Sequence, residues 1–283
     1  MNIPGSDMDN DKAQYISVKK IIGGEMTNID DQVAVEEPLQ IQLAYSTANG
    51  RMQKNIAVTM RTPGNDEELA AGFLFTEGII KNRADVYEVQ CFSSDKNRVL
   101  VTLFENVNPL LNSAARNFYS TSSCGVCGKA SIDAINVSPV FLNNEDSIRI
   151  PAYLLHALPG LVRKQQRVFD NTGGIHASGL FTLKGELVLI REDIGRHNAL
   201  DKIIGAAFLK GQLPLNQTIL LLSGRAGFEL VQKALMAGIK IIIAVGAPSS
   251  LAVELAKEWD ITLVGFLREG KFNIYAGWKR IEL

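Results

Sequence analysis

Three continuous apolar segments in the last third of the chain constrain the fold most strongly. TILLLSG, IKIIIAVGA and ITLVGFL follow one another between residues 218 and 267, and segments with helical spacing of apolar residues separate them. A strand that is apolar on both faces is buried on both faces, and strands that alternate with helices form parallel sheets. The pattern therefore predicts a three-layer α/β domain over residues 146–283, with helices on both faces of its sheet.

The first part of this domain contributes further elements. The segment 150–169 has helical spacing, with a break or kink expected at Pro159. A hairpin that turns at Lys184-Gly185 follows, and after it a helix that ends at Gly211.

Strand signals dominate the part of the chain that precedes this domain. QIQLAYS and KNIAVTM flank an Asn-Gly turn, and VYEVQCF and RVLVTLF form a second pair. Between the pairs, NDEELAAGFLFTEG predicts a helix that Asn65 caps and Gly78 closes. We therefore expect a mostly β region over residues 14–145. Residues 1–13 are polar and lack periodicity, which predicts a disordered tail.

Composition argues against several classes of partner. The net charge of −1 offers no electrostatic reason to bind nucleic acid or an anionic membrane. The polar first residues do not form a signal peptide, and the longest apolar runs are far shorter than the ~20 residues of a membrane-spanning helix. Three cysteines are an odd number for a secreted disulfide framework. We therefore expect a cytoplasmic protein.

Two of the cysteines, Cys124 and Cys127, stand three positions apart in TSSCGVCGKASID. Zinc needs four ligands, and the chain has neither a second such pair nor clustered histidines. A thioredoxin-like pair follows a strand, which the preceding NSAARNFYSTSS does not resemble. Neighbouring glycines favour an exposed loop, and a helix start near Lys129 would lower the thiol pKa. The pair is therefore predicted to be a nucleophile that accepts and passes on a group, without a bound metal.

A histidine in TGGIHASGLF gives a second candidate. Zinc nucleobase deaminases carry H-x-E and, further along the chain, P-C-x-x-C. Here Ser178 stands where the glutamate would be, and the cysteine pair precedes His176 rather than following it. Deaminase chemistry is therefore not expected, and His176 is either a structural histidine or a contact to a cofactor.

Three strand-to-helix turns supply the remaining candidates. REDIGRHNALDK concentrates charged residues, among them His197, where the ligand crevice of a parallel sheet is expected. Taken singly, each of its residues is best explained by a salt-bridged helix start. LLSGRAGFE, with Ser223, Gly224 and Arg225, and VGAPSSLAVE place glycine and serine at helix starts, whose free N–H groups bind phosphates. Two such turns in succession indicate a phosphate-bearing ligand.

Together, TSSCGVCG, TGGIHASGLF, REDIGRHNALDKIIG, SGRAGFELVQKA and GFLREGKFNIY, in this order, resemble the FdhD family of formate dehydrogenase accessory proteins. The resemblance covers almost the whole chain after the first dozen residues. It implies a cytidine-deaminase-like C-terminal domain. It also implies a sulfurtransferase that takes sulfur from a cysteine desulfurase as a persulfide on Cys124. The sulfur would then pass to Mo-bis(molybdopterin guanine dinucleotide), the bound substrate, and serve formate dehydrogenase.

The resemblance further implies a cofactor-contacting segment near the C-terminus. It falls on FLREGK, which comprises Phe266, Leu267, Arg268, Glu269, Gly270 and Lys271. Arg268 and Lys271 suit diphosphates, so GDP is expected to bind as a mimic of the cofactor. Two other functions stay open: a chaperone that holds the cofactor or the apo-enzyme without sulfur chemistry, and a dithiol oxidoreductase. A homodimer is compatible with the sequence, which does not determine the oligomeric state.

Overall fold

The structure is a computed structural model and describes residues 11–111, 118–119, 139–141 and 146–283. Its strands are β1 (Ala13–Ile22), β2 (Glu25–Ala34), β3 (Glu37–Thr47), β4 (Gly50–Arg61), β5 (Val86–Phe92), β6 (Asp95–Leu103), β7 (Phe118–Tyr119), β8 (Ile150–Pro151), β9 (His176–Thr182), β10 (Leu187–Asp193), β11 (Thr218–Leu222), β12 (Ile241–Ala244), β13 (Thr262–Arg268), β14 (Lys271–Ala276) and β15 (Ile281–Glu282). Its α-helices are α1 (Asp66–Thr76), α2 (Ala152–Arg163), α3 (Arg167–Thr172), α4 (Arg196–Leu209), α5 (Phe228–Met236) and α6 (Ser250–Glu258). Within these ranges, no helix combines the length and the apolar character that crossing a membrane requires.

Six strands form the central sheet, in the order β10–β9–β11–β12–β13–β14. The neighbours β11, β12 and β13 run parallel, which confirms the direction predicted for the three apolar segments. The strands β9, β10 and β14 run antiparallel to their inner neighbours, so the sheet is mixed rather than wholly parallel. Short turns at Gly185 and Gly270, whose φ angles are 80° and 74°, join the β9–β10 and β13–β14 pairs. Such short connections permit only antiparallel pairing.

Successive residues of the central strands belong to two different apolar cores. Leu220, Leu222 and Ile242 pack in the core that includes α4, α5 and α6. Ile219 and Ile241 pack in the core that includes α2. Because side chains alternate between the two faces of a strand, an uninterrupted apolar run supplies both cores at once. Helices therefore cover both faces of the sheet, as predicted.

The N-terminal region contributes a second sheet, ordered β5–β6–β3–β4–β7, and helix α1. Both predicted strand pairs are confirmed, since β3 and β4 meet at Asn49-Gly50 and β5 pairs antiparallel with β6. Apolar residues of this sheet and of α1 lie in the same core as α4, α5 and α6. One core therefore joins the two regions, and the division between residues 145 and 146 stays a prediction.

Helices α1 and α4 cross at two glycines. A Cβ atom on Gly72 would lie 1.9 Å from the carbonyl oxygen of Asp201, and a Cβ atom on Gly205 would lie 1.8 Å from that of Glu68. Both distances are far inside van der Waals contact, so only glycine permits this approach. The crossing holds the N-terminal region against α4, the helix that begins in the turn REDIGRHN (residues 191–198).

Four local predictions are wrong in detail. The segment NSAARNFYSTSS does not resemble a strand in sequence, yet it contains the short strand β7, which pairs with β4. Asn65 precedes α1 with a φ angle of 59° and makes no cap hydrogen bond, because a capping side chain requires the extended conformation. Helix α2 continues through Pro159 to Arg163, since its buried leucines hold it despite the missing backbone donor, and the break falls before α3. The predicted disordered tail is too long, because Ala13 already begins β1 and pairs with β2. The rest of that tail, residues 1–10, lies outside the described residues.

Candidate functional site

The carboxyl ends of β11, β12 and β13 lie side by side, and the turns that follow them are hydrogen-bonded to one another. The N–H group of Gly246 donates to the carbonyl of Gly224 (2.9 Å), and that of Phe266 donates to the carbonyl of Gly246 (3.0 Å). A Cβ atom on Gly246 would lie 2.9 Å from the backbone of Arg225, so the turns approach too closely for a side chain. The turns SGRAG (residues 223–227) and GAPSS (residues 246–250) therefore form one surface. This surface lies at the edge where α/β sheets bind ligands.

His176 begins β9 beside the first of these turns. A Cβ atom on Gly224 would lie 3.3 Å from Nδ1 of His176, so the imidazole lies against this glycine. Ser223 fixes the junction, because its Oγ accepts from the N–H of Ala177 (2.8 Å) and its own N–H donates to the Ala177 carbonyl (3.0 Å). The structure thus brings together His176, Ser223 and Gly224, which the sequence had placed in two separate motifs.

The surroundings of His176 favour its neutral imidazole. Burial lowers its pKa below the ordinary value, and electrostatic interactions with Arg196 and His197 lower it further, while Asp193 acts in the opposite direction. A neutral imidazole presents one donor and one acceptor, which suits a hydrogen-bonding contact to a ligand.

The REDIGRHN turn is organised around the fully buried Asp193. One carboxylate oxygen accepts from the N–H of Gly195 (2.8 Å) and from the side-chain amide of Asn198 (3.0 Å). The other accepts from the N–H of Thr62 (3.2 Å) and from the ammonium group of Lys202 (2.7 Å). Asp193 therefore has a structural role: it hydrogen-bonds groups within its own turn and the backbone of Thr62, the residue that follows β4.

Other residues of this turn also have partners within the protein. Nε2 of His197 lies 3.1 Å from a carboxylate oxygen of Glu229 on α5. Arg191 donates two hydrogen bonds to Glu68 on α1, at 2.5 and 2.7 Å. The simpler interpretation of the cluster, a salt-bridged helix start, thus explains most of its charges.

The FLREGK segment forms the end of β13 and the turn into β14. Phe266 has a φ angle of 53° and is 44% exposed. Leu267 is buried in the core that contains α2, so its side chain is not available to a ligand. Arg268 donates to the carbonyl of Val245 (2.6 Å), which places it beside the turn that follows β12. Residues 269–271 are exposed.

A groove of about 760 Å³ opens between the α2–α3 connection and this edge of the sheet. Its wall includes Gly160, Gln166 and Phe169 on the helical side and His176, Ser223 and Val245 on the sheet side. Sequence reasoning missed the helical wall entirely. The one available signal was the glycine pair that precedes His176, since Gly173 and Gly174 also line the groove.

The predicted nucleophiles, Cys124 and Cys127, lie outside the described residues. Across the residues that the structure does describe, no group of three or more His, Cys, Asp or Glu side chains could hold a metal ion.

The sheet is mixed and covered by helices on both faces, which defines an α/β protein, and its groove lies at the carboxyl edge of the parallel strands, where such folds bind ligands. The model of the FdhD/NarQ family matches residues 34–282, and the chain belongs to this family.

Named relatives and one solved structure agree with this assignment. The chain is 49% identical to a "Sulfur carrier protein FdhD" of Streptomyces avermitilis, over 94% of each protein. It is 43% identical to a protein of the same name from Sulfolobus acidocaldarius, over 95% of this chain and 98% of that one. A crystal structure described as a putative formate dehydrogenase accessory protein, from Desulfotalea psychrophila, superposes with a TM-score of 0.74 at 26% identity, covering 95% of this chain and 99% of that chain.

Proposed function

We propose that this chain is a sulfurtransferase that receives sulfur from a cysteine desulfurase as a persulfide on Cys124. It passes the sulfur to Mo-bis(molybdopterin guanine dinucleotide), its bound substrate, for use by formate dehydrogenase. The names of the relatives, which are sulfur carriers and a formate dehydrogenase accessory protein, support this role.

The observation that carries the proposal is the path of the chain that leads to the cysteine pair. Strand β7 pairs with β4 at Val58. The next residue of β4, Thr59, donates from its hydroxyl to the side-chain oxygen of Asn198 (3.3 Å), in the first turn of α4. Five residues lead from Tyr119, the end of β7, to Cys124, a length that extended chain covers in at most about 18 Å. This length of chain is compatible with a Cys124 thiol that acts at the REDIGRHN turn.

The sulfur passes through the protein in two thiolate attacks. The Cys124 thiolate attacks the terminal sulfur of the desulfurase persulfide, forms a new S–S bond and releases the desulfurase thiolate. Release as hydrosulfide needs two electrons, which Cys127 supplies when its thiolate attacks the Cys124 sulfur and forms the Cys124–Cys127 disulfide. Two equivalents of an external thiol then reduce this disulfide and are themselves oxidised to a disulfide. The cycle needs a compartment in which thiols stay reduced, and we therefore place the protein in the cytoplasm.

The phosphates of the cofactor are proposed to bind at the start of α5. Among the described residues no side chain caps this helix at Gly227, whereas Ser249 caps α6 by accepting from a backbone N–H (3.3 Å). Arg225 is exposed on the same turn, and Lys271 pairs with Arg268 across the β13–β14 turn. An uncapped helix start beside basic side chains attracts a diphosphate. A cytidine-deaminase-like arrangement of this domain is part of the same proposal.

Calorimetry with GDP tests the phosphate site. GDP should bind more tightly than GMP or guanosine. Arg268→Ala should weaken GDP binding about tenfold to a hundredfold, since a charge-assisted hydrogen bond contributes ~1.5–3 kcal/mol. Lys257→Ala, which removes an exposed charge on α6, is the control. Equal affinities of the wild type and Arg268→Ala would show that this assignment is wrong.

Maturation of a client formate dehydrogenase tests the sulfur step. Cys124→Ala should abolish maturation, and Cys91→Ala should not. The groove also supports a second candidate, a chaperone that binds the cofactor without sulfur chemistry, because ligand binding there does not require a thiol. Full maturation by Cys124→Ala would favour that chaperone.

A further inference from the structure

The groove has the size and the apolar lining of a small-molecule site. Its volume of about 760 Å³ falls within the range of small-molecule sites, ~300–1,000 Å³. Pro159, Val162, Phe169 and Ile175 contribute apolar surface to its wall. At the sheet side it reaches Ser223 and Val245, where the turns proposed to hold phosphates begin. A ligand with phosphates on those turns therefore has room for a ring system in the groove.

One buried polar side chain in the wall has no partner. Gln166 is only 5% exposed, and its backbone is already used, because its N–H donates to Arg163 (3.3 Å) and its carbonyl accepts from Asp170 (3.0 Å). No group in the described part of the chain hydrogen-bonds its side-chain amide, and Gln166 is one of the residues that line the groove. The donors and the acceptor of this amide are therefore available to a ligand that enters the groove.

Glycines keep the wall of the groove open. Among the described residues, a Cβ atom on Gly160 or Gly173 would meet nothing within 4 Å, and one on Gly174 would meet only the carbonyl of Thr172, at 3.8 Å. Gly160 lies inside helix α2, where alanine would be more stable. Packing therefore does not require glycine at position 160, whereas an open wall does.

We infer that the groove binds a planar heterocycle with a lactam edge, and that the Gln166 amide hydrogen-bonds that edge. A glutamine amide presents one acceptor and two donors side by side, which matches the N–H and C=O of a lactam. The 2-amino-4-oxopyrimidine ring carries this edge and is shared by guanine and by pterin. The inference rests on the proposed function, because it assigns the ring system of the proposed ligand to this groove.

The test compares ligands with and without the lactam. Affinities for GDP, for pterin and for purine riboside diphosphate, which lacks the lactam, are measured on the wild type and on Gln166→Leu. GDP or pterin should lose about tenfold to a hundredfold in affinity for Gln166→Leu, while purine riboside diphosphate is unaffected. The ligand that shows the loss identifies the source of the ring, guanine or pterin. Gln165→Leu, at the exposed neighbouring glutamine, is the matched control and should bind all three as the wild type does.

A second variant tests the open wall. Gly160→Leu should lower the affinity for the ligand, GDP or pterin, that depends on Gln166. It should not lower the midpoint temperature of thermal unfolding. The inference is overturned if Gln166→Leu changes the affinities for GDP and pterin less than twofold. It is also overturned if the variant loses as much affinity for purine riboside diphosphate as for GDP or pterin. Sulfur loading of the wild type at Cys124 is measured in parallel. Its absence would refute the proposed function, whereas the Gln166 comparison would stand on its own result.

Discussion

The two faces of the central sheet differ in how closely the helices that cover them pack. On the face of α4, α5 and α6, Lys233 pairs with Asp201 (2.9 Å) and with Glu77 (3.3 Å), and the crossing at Gly72 has no room for a Cβ atom. On the face of α2, no described residue pairs with the Gln166 amide, and none lies within 4 Å of a Cβ atom built on Gly160. The first face is closed and holds the fold together. The second is open and is the face that we assign to a ligand.

Substitution of a helix glycine by alanine should separate the two faces most sharply. Gly205→Ala places a Cβ atom 1.8 Å from a backbone oxygen of α1, so the helices must move apart. We expect a loss of more than ~4 kcal/mol in the free energy of unfolding, or no folded protein. Gly160→Ala is the matched change on the open face, and it should raise that free energy by up to ~1 kcal/mol. Denaturant unfolding measures both, and equal effects would contradict the comparison.

Breaking the buried ion cluster should have the next largest effect. Lys233→Met leaves the buried Asp201 and the partly buried Glu77 without their cation, and such a loss typically costs ~3–5 kcal/mol of stability. Lys257→Met removes an exposed lysine from α6 and should change stability by less than ~0.5 kcal/mol. The double variant Lys233→Met/Asp201→Leu should recover part of the loss. If the Lys233→Met variant were as stable as the wild type, this ion cluster would not be what stabilises the fold.

A smaller effect is expected at Asp146, which accepts hydrogen bonds from Lys240 (2.7 Å) and Arg280 (2.9 Å). Burial acts to raise the pKa of this carboxyl, but the hydrogen bonds from Arg280 and Lys240 outweigh it and hold the pKa well below its usual range. The depressed pKa means that the stability from this group is present above the unfolded-state pKa of ~3.9 and is lost as the pH falls further. Asp146→Asn should therefore cost ~1.5–3 kcal/mol at pH 7.

The pH dependence provides the check on this prediction. The difference in unfolding free energy between the wild type and Asp146→Asn should shrink steadily as the pH is lowered from 5 to 2. A difference that stays constant over this interval would mean that the charge of Asp146 is not what stabilises the fold.

Local periodicity explains what could be predicted from the sequence. The positions of β11, α5 and β12 follow from spacing within each segment, and the edge that carries SGRAG follows from the order of these elements. The open groove on the α2 face could not be predicted in this way, because it depends on how segments far apart in sequence pack together. Gln165 and Gln166 are indistinguishable in sequence, yet one is exposed and the other is 5% exposed, since the break between α2 and α3 turns only the second inward.

The same limit applies to the glycines. Gly72, Gly160 and Gly205 all lie within helical patterns, and in each case the sequence shows only a residue that lowers helix propensity. Whether such a glycine makes a close crossing or leaves an open wall depends on the partner across the interface. The pairing of His176 with the turn at Gly224 belongs to the same category, because 48 residues of sequence separate them but the strand order places them side by side.

Mass spectrometry of the peptide that contains Cys124 and Cys127, after incubation with a cysteine desulfurase and cysteine, tests the proposed function most directly. We predict a gain of one sulfur atom on this peptide. Cys91 is the internal control, because burial and the nearby carboxylates of Glu67 and Asp66 raise its pKa to about 11 and leave it a poor nucleophile. Loss of two hydrogens without a gain of sulfur would indicate a dithiol oxidoreductase, and an unchanged mass would indicate a chaperone. Either result would contradict the assignment of sulfur transfer to this chain.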